Sequence, residues 1–237
     1  MKISDPLQGK VYAQLRRGRW FGTLPEPLAL ALFGAAELAE YAPGTVYASD
    51  APAQGLFALV EGTVHFDKID QSGRRVLLHV APPGYWFGEI ASASGVGTAV
   101  NVHAFTSIKV LRIAPENVHQ LLGVQTSLSS ALSRLMADRF AALIELVCAM
   151  RRPTALAQIA GRLAVIAQHC KASDSAIDFV VLQMTQGDLA DMTGHARQTV
   201  NPAIKRLEQE GVIEVAHRQI TILDSHGLEA FAFERIV

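Results

Sequence analysis

Cysteine is nearly absent: Cys148 and Cys170 are the only two in 237 residues. Two thiols cannot build a disulfide framework, a four-thiolate iron–sulfur cluster or a cysteine-rich zinc site. Neither sign of charge is in excess, since 21 Lys+Arg stand against 22 Asp+Glu for a formal net charge of −1. The overall balance therefore names no polyanionic partner. The 18 Gly and 10 Pro are scattered, which excludes collagen-like repeats and low-complexity tracts. No apolar run reaches the length of about 18 residues that a membrane span needs; Leu28 to Phe33 is followed by Gly34 and soon by Glu37. The opening residues, Met1 to Pro6, lack the apolar stretch and small-residue cleavage site of an export signal. The chain is expected to be soluble and cytoplasmic, with no membrane role, no bound metal and no cofactor.

What is present is the material of an ordered protein. Half of the residues are hydrophobic and 18% are charged, enough to bury a core in one large domain or two ordinary ones. Pro27 to Glu40 has helical spacing, with Leu28, Leu32 and Ala35 on one face. From about Tyr41 to Arg112, turn signals such as Pro43-Gly44, Glu61-Gly62 and Pro82-Pro83-Gly84 separate short β-rich runs. Short strands at such intervals indicate a sandwich or barrel.

Pro115 then opens a helical region, and no glycine or proline occurs between Val124 and Arg152. Leu128, Leu132, Leu135, Arg139, Ala142 and Leu146 step alternately by four and three. Met136, Phe140, Leu143, Val147 and Met150 form a second such series beside the first. One seam suffices to dock a helix on its own β region, so two seams imply contact with a second chain. The first series is assigned to the dimer contact, although spacing alone leaves open which seam does which. Pro153 ends this helix. The expected domains are residues 1–114, a long dimerisation helix over 115–152, and a terminal region over 153–237.

The most informative stretch runs from Met184 to Gly211. Thr185 and Asp188 have capping-box spacing, Leu189, Ala190 and Met192 supply an apolar face, and Gly194 suits a tight helix end. A second helix begins near Ala196, with Val200, Ile204 and Leu207 turned inward. Two short helices joined by a glycine turn fit a helix-turn-helix. Behind Gly211, the runs Val212 to Val215 and Gln219 to Leu223 flank a polar turn, as in a β-hairpin wing. An arginine early on a recognition helix can donate twice to guanine. Arg197 is the first candidate, with His195, Gln198, Thr199, Asn201, Lys205, Arg206 and Arg218 around it. The region from Arg151 onward holds 9 Lys+Arg against 10 Asp+Glu, so binding must come from placement and from doubling in a dimer.

This order of parts resembles the CRP/FNR superfamily of bacterial transcription regulators. The resemblance is carried by Pro43-Gly44, the run Gly55 to Gly62, the run Gly84 to Glu89, and Gly194 to Asn201 with Leu207-Glu208 and Gly211. It implies an α+β protein: an N-terminal β jelly-roll of the cyclic-nucleotide-binding type, a long dimerisation helix and a C-terminal winged helix-turn-helix. It also implies a homodimer on a palindromic site in double-stranded DNA, with RNA polymerase as a partner. Arg197, Gln198 and Thr199 fall on the family's contact positions, whereas Pro202 stands where many members carry another arginine and Ala196 replaces a common serine.

Cyclic-nucleotide-binding members of that family place a Gly-Glu pair on the ribose and an Arg-Ser pair on the phosphate. Gly88 and Glu89 supply the first, but the second aligns with Thr98 and Ala99, and no arginine occurs between Arg75 and Arg112. The helix positions whose hydroxyls meet adenine align with Leu143 and Ile144. Without its cation the phosphate loses a charge-assisted bond of about 1.5–3 kcal/mol. The effector is thus expected to be unknown or absent rather than cyclic AMP. Strand histidines His65, His79 and His103 are expected to be packing or surface residues, and Trp86-Phe87 to be core. Two other readings stand beside a regulator that is not an enzyme: a metal-dependent enzyme built on the barrel, and a cyclic-nucleotide-binding signalling module without a DNA role.

Overall fold

The computed structural model describes residues 5–47, 55–90, 100–170 and 179–233. Two compact units divide it, one drawn mainly from Met1–Phe66 and Ala81–Arg139, the other mainly from Asp67–Val80, Phe140–Lys171 and Ser175–Val237. No helix among the described residues is long and apolar enough to cross a membrane.

The chain opens with α1 (Asp5–Arg16), a 3-10 turn (Phe21–Thr23) and α2 (Glu26–Gly34). Strands follow: β1 (Glu37–Tyr41), β2 (Val46–Tyr47), β3 (Leu56–Glu61), β4 (Val64–Ile69), β5 (Arg75–Ala81), β6 (Trp86–Phe87), β7 (Asn101–Ala104) and β8 (Ile108–Ile113). They form two four-stranded sheets, ordered β1-β8-β3-β6 and β2-β7-β4-β5, the arrangement of a jelly-roll. Side chains alternate across a strand, and β3 uses that alternation fully. Phe57 and Leu59 pack with Val110 and Phe87 in one core, while Leu56, Ala58 and Val60 join Trp86 and the α1–α2 region in another. Trp86 stacks on Phe21 at 5.0 Å and Phe87 on Phe57 at 5.1 Å, so both aromatics of that pair are core. His65 is fully buried, its ring 4.1 Å from that of Phe105.

The helix expected over Pro27 to Glu40 stops at Gly34. Glu37–Tyr41 instead pairs antiparallel with β8, Glu37 opposite Arg112 and Tyr41 opposite Ile108. A ladder partner outside the local sequence overrides its weak helical spacing. Helix α1 packs Val11 and Leu15 into the same core as Trp20 and Leu28.

Two helices fill the region after Pro115, not one. α3 (Pro115–Val124) ends at Gln125, whose φ of −110° and ψ of 86° leave the helical region, and α4 (Thr126–Met150) follows for 25 residues. Leu128, Leu132 and Leu135 are at most 3% exposed in the core of their own chain, and the Trp20 indole donates to Ala131 O at 2.8 Å. Assigning these three leucines to a dimer contact is therefore corrected: they dock α4 on its own sheet. The uncovered apolar residues lie on the second seam and beside it: Phe140, Leu143, Ile144, Val147 and Met150 are all more than half exposed.

The second unit holds α5 (Ala155–Cys170), β9 (Val180–Leu182), α6 (Gln186–Thr193), α7 (Arg197–Gln209), β10 (Ile213–Ala216), β11 (Gln219–Ile222) and α8 (Ser225–Phe233). The Thr154 hydroxyl caps α5 by accepting from the Ala157 N–H at 3.1 Å. Ile159, Leu163 and Ile166 of α5 form its core with Leu189, Val200, Ile204, Leu207 and Leu228.

Removing buried methylenes from a packed leucine costs about 2–5 kcal/mol. Leu132→Ala should lower the urea unfolding free energy by that order, and Leu135→Asp should unfold the chain rather than merely separate subunits. A loss well under 1 kcal/mol for Leu132→Ala would show that the first half of α4 is not docked.

Candidate nucleic-acid interface

Local chemistry fixes the two helices of the second unit. The Thr185 hydroxyl accepts from the Asp188 N–H at 3.0 Å, while the Thr185 N–H donates to Asp188 Oδ2 at 2.8 Å. This reciprocal cap satisfies two donors that a helix start leaves open. At the other end Gly194 takes φ +71°, a left-handed turn that a side chain resists. The chain reverses there and α7 begins at Arg197. Val200, Ala203, Ile204 and Leu207 are buried, which fixes the opposite face of α7. On that face Arg197, Gln198, Thr199, Asn201, Lys205 and Arg206 are all exposed.

Arg197 occupies the first turn, and among the described residues no hydrogen bond or ion pair engages its guanidinium. It borders a cleft of about 460 Å³ whose lining includes Gln186, Gly187, Asn201, His217 and Arg218. The floor is close: a Cβ built on Gly187 would lie 2.6 Å from Arg197 Nη2. The far wall is the wing, where Ala216 of β10 pairs with Gln219 of β11 around His217 and Arg218. Arg218 holds φ +56°, a conformation that costs an L-residue about 1–2 kcal/mol. Glu208 braces the wing by accepting from the Val215 N–H at 3.1 Å. Arg206 pairs with Glu210 at 2.8 Å on the surface, so part of its charge is already answered.

His195 has a different place from the one expected. Its Nε2 lies 2.8 Å from Gln158 Oε1, and the Gln158 amide donates to Arg152 O at 2.7 Å. That second bond turns the Gln158 oxygen toward the imidazole, so Nε2 is the donor. His195 thus ties the helix-turn-helix turn to α5 and does not stand on the free face. Pro202 lies within α7; it has no N–H for the Gln198 carbonyl one turn back.

The expected effector residues are only partly brought together. Thr98 and Ala99 lie outside the described residues. Gly88 has φ +92°, and a Cβ there would meet Gly55 O at 2.3 Å, so packing between strands already demands glycine. Glu89 is 6% exposed and accepts from Arg139 Nε at 3.4 Å. Arg139 also donates from Nη2 to Trp86 O at 2.7 Å, and its guanidinium carbon sits 3.9 Å from the centre of the Tyr85 ring. Arg139, expected at the dimer seam, is corrected to a partner of Glu89. No local pattern joins residues 50 apart in the chain, which is why spacing missed the pair. Leu143 and Ile144 stand half exposed on α4, and Ala142 and Leu146 are half-buried.

Comparison with known proteins supplies the context. The family described as the Crp-like helix-turn-helix domain matches residues 156–231, and the cyclic nucleotide-binding domain matches residues 39–124. The HTH-type transcriptional regulator Cmr of Mycobacterium tuberculosis is 27% identical over 231 residues, covering 93% of this chain and 90% of that protein. A CRP/FNR-family transcriptional regulator from Thermus thermophilus is 25% identical, with a TM-score of 0.57 over 84% of this chain and 100% of its own. The fold of FixK2 from Bradyrhizobium japonicum matches with a TM-score of 0.69 at 21% identity, over 84% of this chain and 98% of that one.

The strained wing tip gives a test in which two readouts move apart. Arg218→Gly and Arg218→Ala both remove the side chain, but only glycine relieves the left-handed backbone, at the cost of added unfolded-state freedom, so glycine should be the more stable of the two by about 0.5–1 kcal/mol. The glycine variant should melt a few degrees above the alanine variant while both lose affinity for duplex DNA. Equal melting temperatures would mean that the backbone is not strained there.

Proposed function

The chain belongs to the CRP/FNR superfamily of transcription regulators, and from that premise we propose that it works as a homodimer reading a palindromic duplex through α7. The observation that carries this reading is Arg197: exposed, in the first turn of α7, with its donors unengaged among the described residues and the wing cleft beside it. A guanidinium so presented fits the O6 and N7 acceptors of guanine in the major groove. Gln198 suits adenine, and Thr199 with the open amides at the start of α7 suits a phosphate. Asn201, Lys205, Arg206 and Arg218 flank these contacts. Pro202 contributes no charge, so the count of phosphate contacts is small and salt dependence shallow.

The dimer forms, in this proposal, through the second half of α4. Large apolar side chains so exposed mark an interaction surface, and the spacing of Phe140, Leu143, Val147 and Met150 by three and four is that of a helix pairing with its twin. A two-fold pair of α7 helices then meets half-sites about one DNA turn apart. The division into a β domain over 1–114, a dimerisation region over 115–152 and a reading domain over 153–237 belongs to the same proposal, as do RNA polymerase as partner and the cytoplasm as the place of work. No catalytic role is proposed, in keeping with relatives that are transcription regulators.

The β domain senses an effector other than cyclic AMP, or none. Arg139 engages the Glu89 carboxylate that a ribose would need, and the sequence offers no arginine for the phosphate between Arg75 and Arg112.

Purified protein, mixed with genomic fragments with and without a small-molecule cell extract, should enrich a palindrome that Arg197→Ala loses. Adding cyclic AMP should change nothing. No enrichment under any condition contradicts the DNA reading, and enrichment that requires cyclic AMP contradicts the effector reading. In sedimentation, Val147→Asp should convert a two-chain particle to one chain. A particle that keeps two chains would place the interface elsewhere.

A further inference from the structure

We propose that Gly187 is a positioning residue that sets the sequence preference of Arg197, because the side chain it lacks leaves a seat for the guanidinium over the first turn of α6. The proposal rests on α7 being the recognition helix. Gly187 lies at the second position of α6, inside the capping box formed by Thr185 and Asp188. Its φ is not among the positive values of the chain, so the backbone there suits any residue. A glycine in a helix is also less stable than an alanine. The fold therefore gives no local reason for glycine at this position.

The surroundings give one. The three atoms nearest to a Cβ built at 187 all belong to Arg197: Nη2 at 2.6 Å, Cζ at 3.1 Å and Nε at 3.3 Å. The guanidinium lies against the space that this Cβ would fill, and a methyl group would push it away. No bond holds it there among the described residues. Nor does electrostatics, since the start of a helix is the positive end of its dipole and repels a cation. The seat is steric: the missing Cβ leaves room for a long, flexible side chain to lie against the backbone without engaging its donors, and a methyl group closes that room. Guanine readout needs the guanidinium presented edge-on in one plane, so shape at 187 translates into base preference. A residue that weakens its own helix without a backbone need, beside the reading arginine, is the kind of local conflict found at functional sites.

The experiment compares wild type, Gly187→Ala, Arg197→Ala and the double variant on a randomised duplex library, with thermal melts of each. Gly187→Ala should melt at or above wild type. Its preference at the base pair that Arg197→Ala affects should fall about tenfold, with non-specific affinity and salt slope unchanged. In the Arg197→Ala background it should change nothing further. The proposal is overturned if Gly187→Ala keeps full discrimination, if it weakens all sequences alike in both backgrounds, or if it melts well below wild type, because then something other than Arg197 needs the glycine. A wild-type protein without any sequence preference overturns the recognition-helix reading and this proposal together. A preference lost in Arg197→Ala but kept in Gly187→Ala overturns this proposal alone.

Discussion

An apolar helix face left open to water is the constraint on which the account turns. The first half of α4 buries Leu128, Leu132 and Leu135 in its own chain, whereas the second half leaves Phe140, Leu143, Ile144, Val147 and Met150 more than half exposed. Burying such surface is worth about 25 cal/mol per Å², so a second copy of the same face is a strong match. The same pairing answers a difficulty in the terminal region, where 9 Lys+Arg face 10 Asp+Glu from Arg151 onward. A region with so little net charge gains little from non-specific attraction to phosphate. In the proposed dimer, two placed faces acting together compensate for what charge does not supply.

Placement itself comes from short-range chemistry. The Thr185–Asp188 cap, the left-handed Gly194 and the buried stripe of Val200, Ile204 and Leu207 leave α7 one outward face. His195 is drawn to Gln158 and Glu208 to the wing, so neither competes for the groove. Several local rules are broken near that face: Arg218 is the sole described non-glycine residue with positive φ, Pro202 lies inside a helix, and Gly187 stands in a helix without a positive φ to require it. Conflicts of this sort concentrate where function outweighs stability.

Much of this was legible in the sequence, and the limits have physical causes. Turn residues spaced between β-rich runs announced the jelly-roll, and the capping box with its glycine turn announced α6 and α7, because both signals are local. Helical spacing runs through Glu40 and conceals the strand at Glu37–Tyr41, whose identity comes from pairing with residues about 70 positions on. The two seams of α4 were visible as a pair, but periodicity cannot tell which one its own sheet covers. The Arg139–Glu89 pair and the approach of Arg197 to Gly187 depend on tertiary geometry, which no spacing encodes. His195 has the polarity of a base reader, and only the position of Gln158 shows where its proton goes.

In the proposed complex, two copies present Arg197 to guanines in successive turns of one duplex face. Methylation interference tests it directly, because a methyl group on guanine N7 removes the acceptor that the guanidinium needs. On a recovered site, the account predicts interference at symmetry-related guanines about 34–36 Å apart along the helix, abolished at those guanines by Arg197→Ala. Interference at a single guanine, or a pattern that Arg197→Ala leaves intact, would contradict it.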